Sequence, residues 1–480
     1  MPAFLMLIAF LLPGVGGLLL QLPKLKKGLP FYVVTSAVTL ATSVLTWLLI
    51  LFGSDESFLV ISFTDQLEFS FRLDRLGRVF AGIAATLWPF SVLYGFSYMK
   101  EDAHKNTFFM YYLFSYGVTL GIAMAENLFT LYCFYELLTL ATVPLVMHTR
   151  TKEAIRAARL YFSLSIGGAA FAFISIVFLI VGGNMTESAG VIRFFYLLGF
   201  FGFSVKAAVF PLHLWLPRAA VAPTPVTALL HAVAVVKAGA FAVIRLTYTG
   251  YGIEILKGSF AQIIPLCFVL FTILFGAVMA VREPHVKRRF AYSTVSNLSY
   301  ILFGVLLMTE EGLTAGLTHM AFHANIKIVS FFCAGAVLHV SGREYLEEYN
   351  GLAQRMPVTF ACLLVSALAL VGIPPLNGFV SKFALLSAAL ETGGVLAYIG
   401  FGLILFAAFL TAIYMLTPLR RAFFPGKNAD LSGLNKVHEA PLPMLITMVV
   451  LSAAILVTGL LAGRIMNALG LAAAELLQLQ

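Results

Sequence analysis

Apolar runs of roughly 20 residues recur along the whole chain, and short polar stretches separate them. A helix of about that length crosses a hydrocarbon core of about 30 Å. The pattern predicts an all-α integral membrane protein with 14 transmembrane helices, which we place at 3–21, 31–53, 76–99, 107–125, 127–147, 158–182, 192–214, 225–248, 259–280, 289–308, 312–340, 358–386, 394–418 and 440–462.

One polar stretch, between the second and third runs, alternates apolar and polar residues. Leu67, Phe69, Phe71 and Leu73 fall on one face of this segment. Because a period of two is typical of strands, the segment 54–75 predicts a short hairpin outside the membrane. The remaining polar stretches are no longer than this one, so we expect no separate soluble domain.

Composition agrees with the hydropathy pattern. Of the 480 residues, 60% are hydrophobic and 11% are charged, and the mean hydropathy is +0.95. Soluble domains carry roughly 25% charged residues, so this composition indicates a membrane protein. The first run continues into LPKLKKG without a small-residue cleavage site, which predicts a retained span instead of a signal peptide.

The net charge of +9 reports topology, because its distribution is uneven. When the loops are assigned alternately to two sides, 20 of the 31 Lys and Arg fall on one side and 6 on the other, with 5 inside the runs. Cytoplasmic loops of membrane proteins are enriched in Lys and Arg. We therefore expect a multi-pass protein of the cell membrane with both termini on the outer face, and no nucleic-acid partner.

The four cysteines, Cys133, Cys267, Cys333 and Cys362, each stand alone in an apolar run. There is no CxxC pair and no His/Cys cluster, so iron–sulfur, zinc and disulfide sites lack ligands at workable spacing. We expect no metal and no cofactor, and small buried apolar roles for the four thiols.

Ionisable residues inside the runs are the candidate chemistry. Glu136 is the one acid deep in a span, and a carboxylate there is costly unless it is protonated or paired. Lys206 lies mid-span with Pro211 five residues later. Proline removes a helical hydrogen bond, and irregular backbone at this depth is tolerated beside protein or water. We expect a hydrated break at Pro211 and a Glu136–Lys206 acid–base pair, with a protonated Glu and a snorkelling Lys as the alternatives.

The eighth run carries His231 and Lys237, and it begins at Thr224 and Pro225. Thr224 is a candidate N-cap, and Pro225 suits the first turn of a helix. Six residues correspond to roughly 240° around a helix, so His231 and Lys237 need not share a face. His231 is a candidate proton carrier, with a hydrogen-bonded core histidine as the alternative.

In the eleventh run, His319, His323 and Lys327 follow each other at intervals of four residues. This spacing places all three side chains along one stripe of a helix. A stripe of titratable groups favours a proton path, with hydrogen bonding between helices as the alternative.

The twelfth run repeats the combination of a break and a lysine, since Pro374 and Pro375 precede Lys382 in GIPPLNGFVSK. The two interrupted runs are five spans apart, so they cross the membrane in opposite directions. Paired interruptions in inverted halves are typical of transporter sites near the bilayer midplane.

Four ordered segments identify a family resemblance: KAAVFPLHLWLPRAAVAPTPVTALLHAVAVVKAGAF at 206–241, AYSTVSNLSYILFG at 291–304, HMAFHANIKIVSFFCAGAV at 319–337 and GIPPLNGFVSKF at 372–383. They resemble the antiporter-like subunits of respiratory complex I, Mrp-type sodium/proton antiporters and membrane-bound hydrogenases. One complex I branch carries Glu at the position of Lys382, which separates the chain from that branch. The sequence also ends soon after the fourteenth span, without the long lateral helix of the largest family members, so it most resembles the D-type Mrp subunit or its hydrogenase counterpart.

The resemblance implies two inverted five-helix repeats, with the seventh and twelfth helices discontinuous. They would occupy residues 107–250 and 251–421, after a three-helix segment 1–106 and before a loop and span 14 at 422–480. It also implies an ion-pair switch at Glu136 and Lys206, a central relay of Lys237 with His319, His323 and Lys327, and an exit residue at Lys382.

The sequence thus predicts a proton-translocating subunit of a multi-subunit membrane complex, with other membrane subunits, lipid and protons as partners. It has no redox or hydrolytic site of its own. Sodium transport stays open, as does the identity of the complex: an antiporter, a hydrogenase, or an NADH or ferredoxin oxidoreductase. The alternatives are a self-sufficient secondary transporter and a scaffold subunit that does not pump.

Overall fold

Helices make up most of the computed structural model, which describes residues 2–25, 28–64, 67–426, 431 and 433–478. The main helices in these ranges are Pro2–Leu19, Leu29–Phe52, Arg75–Tyr98, Lys105–Met124, Leu128–Val146, Lys152–Ile180, Ala189–Ser204, Thr224–Tyr251, Phe260–Arg282, Val286–Leu306, Glu310–Ser341, Pro357–Val371, Asn377–Thr392, Val395–Phe423, Leu442–Leu460 and Ala462–Gln478. Ten helices of the described residues are long and apolar enough to cross a membrane. The predicted all-helical membrane class is confirmed.

Polar residues at the ends of the apolar runs decide where several helices begin. Asp74, Asn127, Thr151 and Thr309 each accept a hydrogen bond from a backbone N–H of the first turn that follows. Such caps satisfy donors that have no partner inside the helix. Thr224 is different: Pro223 occupies the N-cap position, and the Thr224 hydroxyl lies 3.3 Å from the Tyr98 hydroxyl, so the predicted cap at Thr224 is wrong.

The predicted hairpin is confirmed, with strands Phe58–Thr64 and Leu67–Phe71 paired antiparallel. Residues 65 and 66, at its turn, lie outside the described residues. Phe71 is buried, and its ring lies 4.9 Å from the ring of Phe10 and 5.6 Å from that of Phe134. This aromatic cluster anchors the hairpin to the helices.

Two helices form the centre of the molecule. Glu310–Ser341, which we call the central helix, packs against Val286–Leu306, Pro357–Val371 and Asn377–Thr392. The helix Thr224–Tyr251 also packs against it and is buried along its apolar window. It contains two π-helical segments, Leu229–Val233 and Arg245–Tyr251, which lie on either side of Lys237. Segments of this kind are often found at functional sites.

The seventh predicted span is interrupted earlier than proline chemistry alone predicts. The helix Ala189–Ser204 ends before Lys206, and irregular backbone that we call the first break extends over residues 205–223. The carbonyl of Phe203 accepts the Tyr135 hydroxyl at 3.1 Å, and that of Val205 accepts the Trp215 indole N–H at 2.7 Å. Lys206 therefore lies inside the break, and its predicted place in a helix before Pro211 is wrong.

The twelfth predicted span is divided into two helices, Pro357–Val371 and Asn377–Thr392, as Pro374 and Pro375 indicated. We call residues 372–376 between them the second break. Gly372 ends the first helix with a φ of 100°, a left-handed conformation that glycine adopts without steric cost.

Two features differ from the predictions. After the predicted span 14, where no further element was predicted, the structure has another helix, Ala462–Gln478, which packs on the central helix and on Arg75–Tyr98. Of the four free thiols, Cys267 is exposed and Cys133 is partly exposed, so their predicted burial is wrong. An apolar environment of lipid explains why a small apolar side chain is acceptable at these surface positions.

Candidate functional site

The structure brings Glu136 and Lys206 together, as predicted. The Lys206 ammonium lies 3.5 Å from Glu136 Oε1, and it also donates to the backbone carbonyl of Tyr135. The Lys206 side chain is wholly buried, whereas that of Glu136 is 17% exposed. The second carboxylate oxygen, Oε2, is buried without a hydrogen-bond partner among the described residues. Glu136 is thus paired through one oxygen and retains an unused acceptor.

Gly239 connects this pair to the helix that carries Lys237. A Cβ atom on Gly239 would lie 2.4 Å from the backbone nitrogen of Ala207 and 2.7 Å from the carbonyl carbon of Lys206. Only a glycine permits the first break to approach the helix this closely. Sequence reasoning missed this residue, although glycine two positions after a buried lysine was the available signal.

Lys237 contacts the central helix through His323. The Lys237 Nζ and His323 Nδ1 atoms are 2.9 Å apart, and both side chains are completely buried. The backbone carbonyl of His231 lies 3.4 Å from the same ammonium. Its imidazole does not join this contact, in agreement with the predicted angle between the two residues. Both ring nitrogens of His231 are buried without a partner among the described residues, and the ring packs against Phe331 at 4.7 Å.

The stripe on the central helix is present but is not continuously hydrogen-bonded. The His319 and His323 rings are 5.6 Å apart between centroids, and His319 Nδ1 lies 3.0 Å from the Ser381 hydroxyl. Each ring has one buried nitrogen, Nε2, without a described partner. Ser381 was not predicted as a site residue. Because it directly precedes Lys382, its contact with His319 links the stripe to the helix that carries Lys382.

Lys327 points to a different neighbour. Its ammonium donates to the carbonyl of Phe290 at 2.8 Å and to the Ser293 hydroxyl at 2.9 Å, both on the helix Val286–Leu306. The Phe290 and Phe331 rings also lie within 5.7 Å of this ammonium. The Lys327 side chain is therefore directed away from the two histidines and toward the helix Val286–Leu306.

Lys382 forms hydrogen bonds across the second break, to the helix that precedes it. Its ammonium donates to the carbonyls of Leu370 at 2.6 Å and Val371 at 3.1 Å. These are the last carbonyls of the helix Pro357–Val371, where the end of the helix attracts a cation. Lys382 and Lys206 thus both lie at interrupted helices.

A second buried ion pair, which sequence reasoning missed, joins residues 171 positions apart. Arg245 donates to both oxygens of Asp74, at 2.6 Å and 2.7 Å. Burial alone would raise the pKa of the Asp74 carboxyl, but the Arg245 charge and hydrogen bonds and the Gly77 N–H hold this pKa below its usual value. The pair ties the start of Arg75–Tyr98 to the C-terminal part of the helix that carries Lys237.

Among the described residues, no group of three or more His, Cys, Asp or Glu side chains is arranged to hold a metal ion. The buried polar groups include lysines, histidines and hydroxyls, which can hold or transfer protons, and the partly exposed Glu136 lies beside them.

A family model described as "NADH:quinone oxidoreductase/Mrp antiporter, TM" matches residues 125–411, more than half of the chain. The A subunit of a Na(+)/H(+) antiporter from Alkalihalophilus pseudofirmus is 31% identical over 82% of this chain and 52% of its own length. The A1 subunit of a Na(+)/H(+) antiporter from Staphylococcus haemolyticus is 30% identical over 83% of this chain and 53% of its own. The chain thus spans about half the length of the curated relatives it matches.

Three solved complexes contain chains of similar fold. A chain of an archaeal membrane-bound sulfane sulfur reductase gives a TM-score of 0.86 at 24% identity, with 98% of this chain and 97% of the other covered. One from the Mrp complex of Dietzia sp. gives 0.84 at 23%, covering 99% and 97%. One from respiratory complex I of Thermus thermophilus gives 0.83 at 23%, covering 99% of each chain. At these identities the likeness shows the fold alone.

Proposed function

We propose, because this chain belongs to the NADH:quinone oxidoreductase/Mrp antiporter transmembrane family, that it translocates protons as one membrane component of a larger complex. Its relatives are subunits of Na(+)/H(+) antiporters, which favours exchange of sodium for protons by this chain as well. Those relatives are about twice as long as this chain. These relatives are A-type subunits, so the D-type assignment stays a prediction.

The proposed topology has 14 spans, with two inverted five-helix repeats at 107–250 and 251–421 and both termini outside. Two contacts support the sorting of loops by side. Arg75 pairs with Glu475 at 3.0 Å at the end predicted to be outside, and Arg288 pairs with Glu153 at 2.6 Å at the end predicted to be inside. Three residues counted on the basic side, Lys26, Lys27 and Lys427, lie outside the described residues.

The Glu136–Lys206 pair carries the proposal. A fully buried ammonium keeps its charge only where a countercharge or strong acceptors stabilise it. Here the countercharge is a single carboxylate oxygen 3.5 Å away, on a side chain that reaches the protein surface. When a neighbouring subunit draws Glu136 away, Lys206 loses that stabilisation and releases its proton. The pair therefore couples motion of charge along the membrane to proton movement across it.

The released proton passes, in this proposal, to Lys237 and then to His323 across their 2.9 Å contact. It continues through His319 and Ser381 to Lys382 and leaves on the outer side. Lys327 belongs to the same central group and exchanges protons with it through water. Water must also bridge Lys206 with Lys237 and His323 with His319, since no described hydrogen bond joins either pair.

Replacement of Glu136 by Gln tests this function. The chain is purified with its partner subunits, which are identified, and the complex is assayed for proton uptake in sealed vesicles. Glu136→Gln should assemble normally and lose at least about 90% of transport, because about 1.4 kcal/mol of lost ion-pair stabilisation shifts protonation tenfold. Glu187→Gln, which removes an exposed carboxylate far along the chain from Glu136, is the matched control and should transport normally.

Wild-type transport by an assembled Glu136→Gln complex would contradict the switch. Intact transport after neutralisation of Lys206, Lys237, Lys327 and Lys382 together would favour the scaffold alternative. Transport by the purified chain alone in liposomes would favour the self-sufficient transporter.

A further inference from the structure

A cavity of about 270 Å³ lies beside the central helix, between Arg75–Tyr98 and the two C-terminal helices. Its lining follows Arg75–Tyr98 from Arg78 to Leu87, which corresponds to roughly 13 Å of helix measured inward from the end predicted to be outside. Most of the wall is apolar, but Asn325 of the central helix and Asn377 at the second break belong to it. We call it the asparagine cavity.

Each asparagine has a buried oxygen atom without a partner. Asn377 is completely buried and Asn325 is 9% exposed, and the Oδ1 atom of each lacks a hydrogen-bond donor among the described residues. The segments that carry them are in contact, since a Cβ atom on Gly378 would lie 3.2 Å from the Ile326 side chain. A buried acceptor without a donor loses its hydration without compensation. Two such acceptors beside one cavity indicate that it accommodates a donor or a cation.

The orientation of the Asn377 amide is determined by Thr458. The Thr458 hydroxyl donates its proton to the Ala454 carbonyl at 2.6 Å, so toward Asn377 it can only accept. The part of the amide that faces it, at 2.9 Å, must therefore be the NH₂ group. Exchange of the nitrogen and oxygen positions would break this contact, which means that the unpaired atom of Asn377 is an oxygen.

The oxygen atoms of the cavity suit a cation of single charge. The lining adds the hydroxyls of Thr86 and Thr458 to the two amides. Oxygen ligands bind hard cations, and protein sites for Mg²⁺ or Ca²⁺ usually include carboxylates. Among the described lining residues there is no Asp or Glu. A site of neutral oxygens therefore favours a monovalent cation over a divalent one.

The position of the cavity also points to sodium. Asn377 is the first residue of the helix after the second break, and transporters coordinate sodium where helices are interrupted. Arg78 is the one charged side chain of the described lining, and its guanidinium donates to the Asp55 carboxylate and to the Gly53 carbonyl at 2.9 Å. The charge of Arg78 is thus compensated. Sodium is also the cation that the proposed function exchanges for protons.

We propose that the asparagine cavity binds a sodium ion through the Oδ1 atoms of Asn325 and Asn377, and that this ion is the one exchanged for protons. The inference rests on the proposed function and gives its second ion a place. Asn377 and Lys382 are five residues apart on one helix, a rise of about 7.5 Å, so the bound ion and the Lys382 ammonium repel each other. For two unit charges about 8 Å apart at an effective dielectric constant of about 20, this repulsion changes a binding constant roughly 30-fold. Sodium therefore binds most tightly after Lys382 has passed its proton to water.

Equilibrium sodium binding to the purified complex tests the site without a transport measurement. The complex is titrated with radioactive Na⁺ in choline chloride at constant pH, and the bound ions per complex are counted. Asn325→Leu and Asn377→Leu should each weaken binding at least about tenfold, because even indirect partners of a bound metal ion contribute that much. The double variant should bind one ion fewer than the wild type. Asn467→Leu, which removes an exposed amide outside the cavity, should bind as wild type.

Thermal unfolding in choline chloride checks that these variants fold. Replacement of an unpaired acceptor by an apolar group is nearly neutral for stability, so the unfolding temperatures should stay close to that of the wild type. Added sodium should raise the unfolding temperature of the wild type but not that of the double variant. Lys382→Met removes the ammonium, and it should tighten sodium binding about tenfold or more.

A double variant that remains assembled and binds as many sodium ions as the wild type would overturn the site. Unchanged sodium affinity in Lys382→Met would overturn the coupling to Lys382. The single variants decide the same question if the double variant does not assemble. These results are separable from the switch: normal transport by Glu136→Gln contradicts the proposed function whatever the sodium count, whereas an unchanged count in the double variant beside an inactive Glu136→Gln contradicts the sodium site alone.

Discussion

The two breaks place a buried lysine beside an interrupted helix by different means. At the first break, Lys206 lies in the irregular backbone itself, and its acceptors are the Tyr135 carbonyl and the Glu136 carboxylate of a neighbouring helix. At the second break, Lys382 lies in the helix that follows, and its acceptors are two carbonyls that end the preceding helix of the same span.

This difference separates a switch from a fixed site. A carboxylate can move away or take up a proton, so the charge on Lys206 depends on what happens to Glu136. The carbonyls of Leu370 and Val371 belong to a helix end, whose dipole and hydrogen bonds favour a cation permanently. We therefore expect Lys382 to hold or pass a proton that arrives, and Lys206 to decide when one leaves.

The strongest prediction concerns the second break. Lys382→Arg retains donors for the Leu370 and Val371 carbonyls, but its guanidinium does not deprotonate in proteins. The variant should assemble with near wild-type thermal stability and lose proton transport by at least about a hundredfold, as for loss of a proton-transfer group. Vesicle assays and thermal unfolding check both expectations. Normal proton release by this variant would remove Lys382 from the path.

The Asp74–Arg245 pair provides a comparison for the Glu136–Lys206 pair at the first break, because we expect it to stay intact during the working cycle. Asp74→Asn retains the helix cap but leaves Arg245 buried without its countercharge, which should cost about 3–5 kcal/mol of unfolding free energy. Thermal or denaturant unfolding of the purified chain measures this loss. An unchanged unfolding free energy would show that the pair contributes nothing.

The same pair predicts a pH dependence. Because the Asp74 pKa is depressed in the folded state, its stabilisation is fully present above the unfolded value of about 3.9 and is lost as pH falls through the lower folded value. The wild-type chain should thus lose more stability than Asp74→Asn when the pH is lowered from 5 toward about 3. Parallel acid profiles of the two proteins would contradict this assignment.

Close packing at the first break predicts a smaller effect. Gly239→Ala would place its Cβ 2.4 Å from the Ala207 nitrogen, so the break and the helix must separate. We expect a loss of about 1–3 kcal/mol of unfolding free energy, as for overpacking, together with slower proton transport. Gly167→Ala, at a helical position with nothing within 4 Å, is the control and should be neutral or slightly stabilising. Equal behaviour of the two variants would rule out the close contact.

The smallest predicted effect is at Ser381. Ser381→Ala removes the 3.0 Å contact with His319 but leaves Lys382 and its two carbonyl partners in place. Loss of one buried hydrogen bond costs about 1 kcal/mol, roughly a fivefold change in an equilibrium, so transport should fall only several-fold. Thr447→Ala, on the helix Leu442–Leu460, removes a buried hydroxyl that donates to a backbone carbonyl and serves as control. A Ser381→Ala loss as large as that of Lys382→Arg would make Ser381 an obligatory carrier.

Periodicity made much of this fold predictable, because long apolar runs, alternating strands and prolines each act locally. The hairpin, most helices and the break at Pro374 and Pro375 follow from such local signals. The helix Ala462–Gln478 was missed because its mean hydropathy is too low for a membrane span. Its buried Leu469, Ala473 and Leu476, spaced by three or four residues, were a helical signal that a search for apolar runs ignores.

The candidate site was predictable in its residue types but not in its contacts. A lysine or glutamate in an apolar run is unusual on energetic grounds alone, so Glu136, Lys206 and Lys382 could be selected without a structure. The Asp74–Arg245 pair and the turn of Lys327 toward Phe290 depend on which helices are neighbours. The two π-helical segments likewise follow from packing, for which the sequence carries no simple period.

The central claim is that buried lysines change protonation during the working cycle. Infrared difference spectroscopy on the assembled complex, with lysine labelled by nitrogen-15 and transport started by a pH gradient, measures this directly. We predict a reversible loss of ammonium bands in the wild-type complex, absent from Lys206→Arg, whose guanidinium keeps its proton. Ammonium bands that stay constant while the wild-type complex transports protons would contradict the account.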